Sequence, residues 1–212
     1  MKEVLINNKQ YKDLIALQSN KSNKAFLNRM IECKSIELYK DDIVADIGAY
    51  IGEYSIYAIN QGVKKVISYE ATPETFNILN KNKRGNMIVN NLAVVPDNRS
   101  KTKLHISKGI GVTNSIVKSD RKSHFIEIDC IRYENAVKEA TVVKIDVEGA
   151  EYDYNIIQDN LRAIILEFHP INNCDWMQNA RKIMDDIKNA GFKSIIEPTF
   201  KSGWNMAASF KR

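Results

Sequence analysis

The chain has 212 residues, with 31 Lys and Arg against 26 Asp and Glu and a net charge of +5. That length suits one domain with an appendage and is ample to bury a core. There is no run of about 18 apolar residues and no apolar signal-peptide core near Met1, so a membrane span is excluded and a cytoplasmic protein is expected. Cys33, Cys130 and Cys174 are odd in number and lack metal-ligand spacing, which reads as reduced thiols.

Residues 1–40 are expected to form an appendage, as a cap or packing segment, to a domain over 41–212. Glu3–Asn7 and Tyr11–Ile15 suggest a hairpin around Asn7-Asn8-Lys9. Phe26, Leu27, Met30 and Ile31 recur at helical spacing and predict a helix over 23–35.

An apolar, β-branched run from Ile43 to Ile47 then ends in two glycines, Gly48 and Gly52. An amphipathic stretch reaches about Gln61, and a second strand-like run, Lys65 to Tyr69, closes on Glu70. Strand, glycine turn, helix, strand and terminal acid is the order of a nucleotide-type βαβ unit. The glycine spacing decides between ligands. A dinucleotide fingerprint needs a glycine where its backbone meets a pyrophosphate. Here Ala49, Tyr50 and Ile51 fill the gap, and Glu53 puts a negative charge where a phosphate would bind. The loop therefore suits an adenosine ligand without phosphates, with Glu70 on its ribose.

Thr72-Pro73-Glu74 opens the next helix, with Phe76 and Leu79 facing inward. Met87 to Val95 reads as a third strand and its exit. Asn90, Asn91 and Leu92 fall where that exit would meet an adenine edge. Lys103–Ser107 and Phe125–Cys130 are short alternating runs around a Gly-rich loop, Gly109–Ser115, and suggest an insertion or an irregular crossover. Arg99, Lys101, Lys103, Lys108, Lys118, Arg121 and Lys122 stand there against Asp120 alone, a local balance of +6. The window reads either as a solvated loop or as a collar for an anionic substrate.

Thr141 to Gly149 reads as a buried strand in which Lys144, Asp146 and Glu148 share one face. They form either a neutralised structural triad or a cluster at the carboxyl end of a central strand, where open α/β sheets bind ligands. Ala163 to Pro170 repeats the pattern, with Glu167 and His169 on one face and His169 the leading base. Trp176, Ala180, Ile183, Ile187 and Ala190 predict a helix ending at Gly191. Phe192–Glu197 and Trp204–Phe210 are then joined by too short a connection for a crossover, so they must be antiparallel.

The pattern of Asp46, Gly48 and Gly52 followed by Glu70 resembles motif I of the class I S-adenosylmethionine (SAM) methyltransferases. Asp46–Tyr54, Lys144–Glu151 and Ile165–His169 together resemble the FkbM family of those enzymes. The likeness spans roughly residues 40–212, and Glu70-Ala71-Thr72-Pro73 replaces the family's Glu-Pro-x-Pro. It implies a Rossmann-like fold with a mostly parallel seven-stranded sheet and a C-terminal antiparallel hairpin strand. It also implies O-methylation of a hydroxyl on a sugar, glycan or small natural product, with SAM as cofactor. The cofactor site is then Asp46, Gly48, Ala49, Tyr50, Gly52, Glu53, Glu70, Ala71, Asn91, Leu92 and Asp146. Asp46 or Glu53 would meet the SAM ammonium or its bridging waters. Lys144, Asp146, Glu148 and His169 are the candidate catalytic set. Asp146, Glu148, Glu167 and His169 also offer a donor set for Mg²⁺ or Mn²⁺. An RNA acceptor is the first alternative, against which no Asn-Pro-Pro-Tyr motif follows the fourth strand. A non-catalytic SAM-binding protein is the second.

Overall fold

A computed structural model describes residues 35–107, 114–118, 122–171, 175–197 and 206–212. The hairpin and helix expected before residue 35 lie outside these residues, as do Cys33 and Cys174. Among the described residues, seven strands form one sheet. In chain order its first members are β1 (Ile43–Ile47), β2 (Lys65–Tyr69) and β3 (Met87–Asn90). Two further strands, β4 (Ala93–Val95) and β5 (Lys101–Ser107), and then β6 (Lys122–Arg132) belong to a second sheet. The first sheet resumes with β7 (Val142–Ile145), β8 (Ala163–Phe168), β9 (Lys193–Ile196) and β10 (Met206–Lys211). Its order is β3-β2-β1-β7-β8-β10-β9. β10 is antiparallel to both neighbours, while β1, β2, β3, β7 and β8 run parallel. The expected reversed C-terminal strand is present.

Among the described residues the α-helices are α1 (Glu53–Asn60), α2 (Pro73–Asn82), α3 (Tyr133–Ala136) and α4 (Trp176–Asn189). Val44, Ala45, Val142, Val143 and Ile145 have no exposed surface, because both faces of the central strands are covered. Alternation splits their side chains between two cores. Val44, Val66 and Val142 join Ile56 of α1 and Leu79 of α2 on one face. Ala45, Val143 and Ile145 join Ile187 of α4 and Phe210 on the other. In α4 the buried Trp176, Ala180, Met184 and Ile187 form one stripe, and the Asp175 side chain accepts from the Gln178 N–H at the helix start.

Three expectations change. The run from Met87 to Val95 is two strands, because the chain turns at Asn91-Leu92 and β4 leaves the main sheet to pair with β6. The segment expected as an irregular insertion is a β5–β6 hairpin, registered from Lys101 opposite Asp129 to Ile106 opposite His124. Its apolar alternation closes a small core of Ala93, Val95, Leu104 and Ile128. The strand expected over Thr141–Gly149 stops at Ile145, because Glu148 and Gly149 both take positive φ.

The amino edge of the sheet is tied by one carboxylate. Asp42 precedes β1 and is buried. It accepts from the Tyr39 N–H at 2.6 Å, from Thr141 Oγ1 at 2.7 Å and from Arg162 Nε at 2.7 Å, with Arg162 Nη2 on its second oxygen. Thr141 and Arg162 precede β7 and β8, so one acid gathers three strand starts. Burial alone would raise this carboxyl, but Arg162, the Tyr39 N–H and Thr141 outweigh it and hold it below the usual carboxylate range. A depressed carboxyl adds stability above the unfolded value of about 3.9, which is lost as pH falls through the folded value. Asp42→Asn is expected to lower stability by about 1.5–3 kcal/mol near neutrality. Urea denaturation should show the gap to wild type shrinking below about pH 3, and a gap unchanged in acid would remove the charge as its cause.

Candidate active site

Gly48 and Asp146 follow β1 and β7 at the carboxyl edge, where the strand order reverses. A Cβ on Gly48, whose φ is +77°, would sit 1.7 Å from the Asp146 carbonyl oxygen. A Cβ on Gly52, whose φ is +94°, would sit 2.8 Å from Leu79 Cδ1. The glycines expected to admit a cofactor thus first admit the protein's own neighbours. The two strand exits pack backbone to backbone, and α1 lies close on α2.

Glu70 ends β2 as a buried acid. One oxygen accepts from the Tyr50 N–H at 2.9 Å and the other from the Thr72 N–H at 2.8 Å. Tyr50 reaches it from a left-handed conformation, φ 51°, uncommon for a residue with a side chain. Burial pushes the Glu70 carboxyl up to about 7 against the pull of those N–H groups. Asn91 spends its amide nitrogen on the carbonyls of Glu70 and Ala71, at 2.9 and 3.1 Å. It therefore braces the Glu70 turn and leaves no amide nitrogen for an adenine edge. Ala71 and Leu92 are half-buried beside this turn, and Ala49 is buried.

Asp46 lies beneath the edge. It has no exposed surface, so a ligand's ammonium has no direct path to it. One oxygen accepts from Ser55 Oγ at 2.6 Å, and Ser55 meets Ser68 Oγ at 2.7 Å. The other stands 3.9 Å from Lys144 Nζ. Burial raises this carboxyl, and Lys144 opposes the rise. Glu53, half-exposed at the first position of α1, is the acid that remains accessible.

The second group gathers around His169, which is 3 % exposed and follows β8. Lys144 Nζ lies 3.1 Å from Asp146 Oδ2, linking the buried Asp46 to the edge. His169 Nε2 stands 3.5 Å from Asp146 Oδ1, 3.5 Å from Glu148 Oε1 and 3.9 Å from Glu167 Oε1. Strand alternation does not bring Glu148 here. Its left-handed turn after β7 does. Burial pushes the Glu148 carboxyl up to about 7, with His169 opposing and Asp146 adding to the rise. For His169, burial favours the neutral ring, but Glu151 first, then Glu148 and Asp146, hold it well above the ordinary value. The leading base candidate is thus a sealed, acid-held imidazole.

Glu151, which its sequence position did not single out, joins this group. It has no exposed surface. Its Oε2 accepts from the Gly149 N–H at 2.8 Å. Its Oε1 accepts from the His169 N–H at 2.7 Å and lies 3.3 Å from His169 Nδ1. The one sequence signal was an acid two residues beyond a glycine that ends a charged strand. Tyr152 Oη adds a bond of 2.9 Å to the His169 carbonyl. Asn114, beyond the β5 strand, donates to Thr72 Oγ1 at 3.2 Å and ties that segment to the Glu70 turn.

The basic window is partly engaged. Arg99 pairs with Asp97, Lys101 with Glu127, and Lys103 lies over the Phe125 ring at 4.4 Å. Lys108 and Arg121 lie outside the described residues. Cys130 is a free, half-buried thiol. Among the described residues no helix is long and apolar enough to cross a membrane.

A parallel sheet with one reversed strand, a glycine turn after β1 and an acid ending β2 define a Rossmann-like methyltransferase fold. The same fold occurs in precorrin-6y C5,15-methyltransferase from Geobacter metallireducens GS-15, at 11 % identity and a TM-score of 0.55, over 91 % of this chain and 93 % of that one. It occurs also in a protein from Listeria monocytogenes assigned as an S-adenosylmethionine-dependent methyltransferase, at 11 % identity and a TM-score of 0.52, over 89 % of this chain and 100 % of that one. No curated protein matches the chain in sequence. Residues 46–194 match the Methyltransferase FkbM domain, so the chain belongs to the FkbM family of methyltransferases, whose cofactor is SAM.

Gly48→Ala is expected to cost about 2–4 kcal/mol, since it combines a positive φ with a backbone clash. Chemical denaturation measures this. Wild-type stability in the variant would mean that β1 and β7 do not meet at this contact.

Proposed function

We propose that the chain transfers a methyl group from SAM to a hydroxyl of a sugar, glycan or small natural product. The observation that carries this reading is the contact of Gly48 with Asp146. Through it the loop after β1 and the acid cluster after β7 share one wall. A cofactor site and a proton-accepting site are thereby adjacent.

Glu70 takes the ribose hydroxyls. Its oxygens accept the Tyr50 and Thr72 N–H groups, with the Thr72 side chain also on this carboxyl, and a vicinal diol offers two O–H donors to the lone pairs that remain. The loop from Gly48 to Glu53 lines the amino-acid half, with Glu53 as the available acid. Ala71 and Leu92 flank the base. When bound, the cofactor would supply an electrophilic methyl carbon whose bond to the sulfonium sulfur breaks, its electron pair left on sulfur, as the bond to the acceptor oxygen forms. The chain's own part is to position that hydroxyl and relieve it of its proton. Asp146 and Glu148 are the half-buried carboxylates that an acceptor can reach, and His169 stands sealed behind them. Lys144 fixes the second oxygen of Asp146.

Two outcomes are expected. Ribose hydroxyls donate to the ionised Glu70, whose carboxyl sits at about 7 in the free protein. SAM affinity should therefore rise about tenfold from pH 6 to pH 8, with proton release on binding, and Glu70→Gln should flatten that slope. Calorimetry in two buffers of different ionisation enthalpy reads both, and an equal slope in Glu70→Gln would remove Glu70 from the cofactor site. In an acceptor screen for methyl release, Asp146→Asn and Glu148→Gln should each lower kcat by roughly 10²–10⁴-fold, with SAM affinity nearly unchanged in Glu148→Gln. Near wild-type kcat in both would move the acceptor site elsewhere.

A further inference from the structure

We propose that Asp146, Glu148 and His169 form a binding site for one first-row divalent metal ion, with Glu151 positioning the histidine. The proposal rests on reading this cluster as the acceptor site, and it assigns the carboxylates there a role as ligands.

The geometry argues first. One donor atom from each of the three residues lies within 4.8 Å of the other two. His169 Nε2 is 3.5 Å from each carboxylate oxygen. Two metal bonds of about 2.1 Å meeting at about 110° span about 3.4 Å, so these separations suit a shared ion. They do not suit a hydrogen bond, for which N–H to O pairs close to about 2.7–3.2 Å. Nε2 is indeed buried and makes no hydrogen bond. A buried polar atom without a partner is costly, and this one is aimed between two acids.

The surroundings argue second. The Glu151 carboxylate beside Nδ1 sets the tautomer with the proton on Nδ1. With an ion bound, the Nε2 lone pair would point between Asp146 and Glu148, the arrangement in which a carboxylate orients a metal-bound histidine. Lys144 holds Asp146 Oδ2, which turns Oδ1 toward the histidine. Tyr152 fixes the His169 backbone through its carbonyl. Glu167, 3.9 Å from Nε2, adds negative charge at the rim.

Donor chemistry selects the ion. One imidazole nitrogen with two carboxylates favours Mn²⁺ or a later first-row ion over the all-oxygen preference of Ca²⁺ or Mg²⁺. Three protein ligands leave coordination positions for an acceptor oxygen, whose pKa such an ion lowers.

The test uses the full chain stripped with chelator and titrated with Mn²⁺ alone, followed by loss of the free-ion paramagnetic resonance signal. One ion per chain is expected. Glu148→Gln and Asp146→Asn should each weaken Mn²⁺ at least tenfold, and Glu151→Gln by about 10–100-fold, with SAM affinity unchanged in Glu148→Gln and Glu151→Gln. Mn²⁺ should raise the Tm of wild type and not of Glu148→Gln, which separates lost binding from lost folding. No saturable binding to wild type, or equal binding to Glu148→Gln and Asp146→Asn, overturns the site. SAM titration of the stripped protein separates the two readings. SAM binding without Mn²⁺ binding defeats the metal alone, and Mn²⁺ binding without SAM binding defeats the methyl-transfer reading alone.

Discussion

The contact between Gly48 and the Asp146 carbonyl is the constraint on which the candidate site depends. β1 and β7 are parallel neighbours, and their chains diverge at this edge to opposite sides of the sheet. Divergence opens the crevice in which α/β sheets bind ligands. Any side chain at 48 would hold the two exits apart. With only hydrogen there, the glycine turn and the acid cluster become one continuous surface.

Charge follows from that closeness. Asp46, Lys144, Asp146 and His169 form a chain of near neighbours running from the buried interior to the edge. Ions are rarely buried singly, and here each acid faces a cation or an N–H. Ser55 and Ser68 complete the inner end, and Glu151 completes the outer end through Gly149 and His169. The balance is uneven, with the acids Asp146, Glu148, Glu151 and Glu167 gathered around one imidazole. Burial raises the Glu148 carboxyl, and the surrounding acids, Glu151 first, hold the His169 ring well above its ordinary value against the effect of burial.

The opposite edge carries no such tension. Asp42 draws together the starts of β1, β7 and β8 with its hydrogen bonds satisfied. The same strands are thus anchored by a stabilised acid at one end and bear destabilised acids at the other. Rigid anchoring of the amino ends keeps the carboxyl ends in register, which a site built from several strand exits requires.

The βαβ unit, the reversed last strand and the inward faces of α2 and α4 were legible in the sequence, because period, glycine position and loop length are local properties. Glu70 was legible for the same reason, as an acid closing a strand at a fixed distance from a glycine turn. The splitting of Met87–Val95 was not, since an apolar run is alike in either sheet and only the partner strand β6 chooses. Nor was the sealing of Asp46, the bracing use of Asn91 or the part played by Glu151, whose hydrogen-bond partner at His169 is 18 residues away. The sequence by itself determined the class of fold and the edge at which a ligand sits. Only the tertiary structure decided which acids stay open at that edge and which face each other, because burial and pairing are set by neighbours distant in the chain.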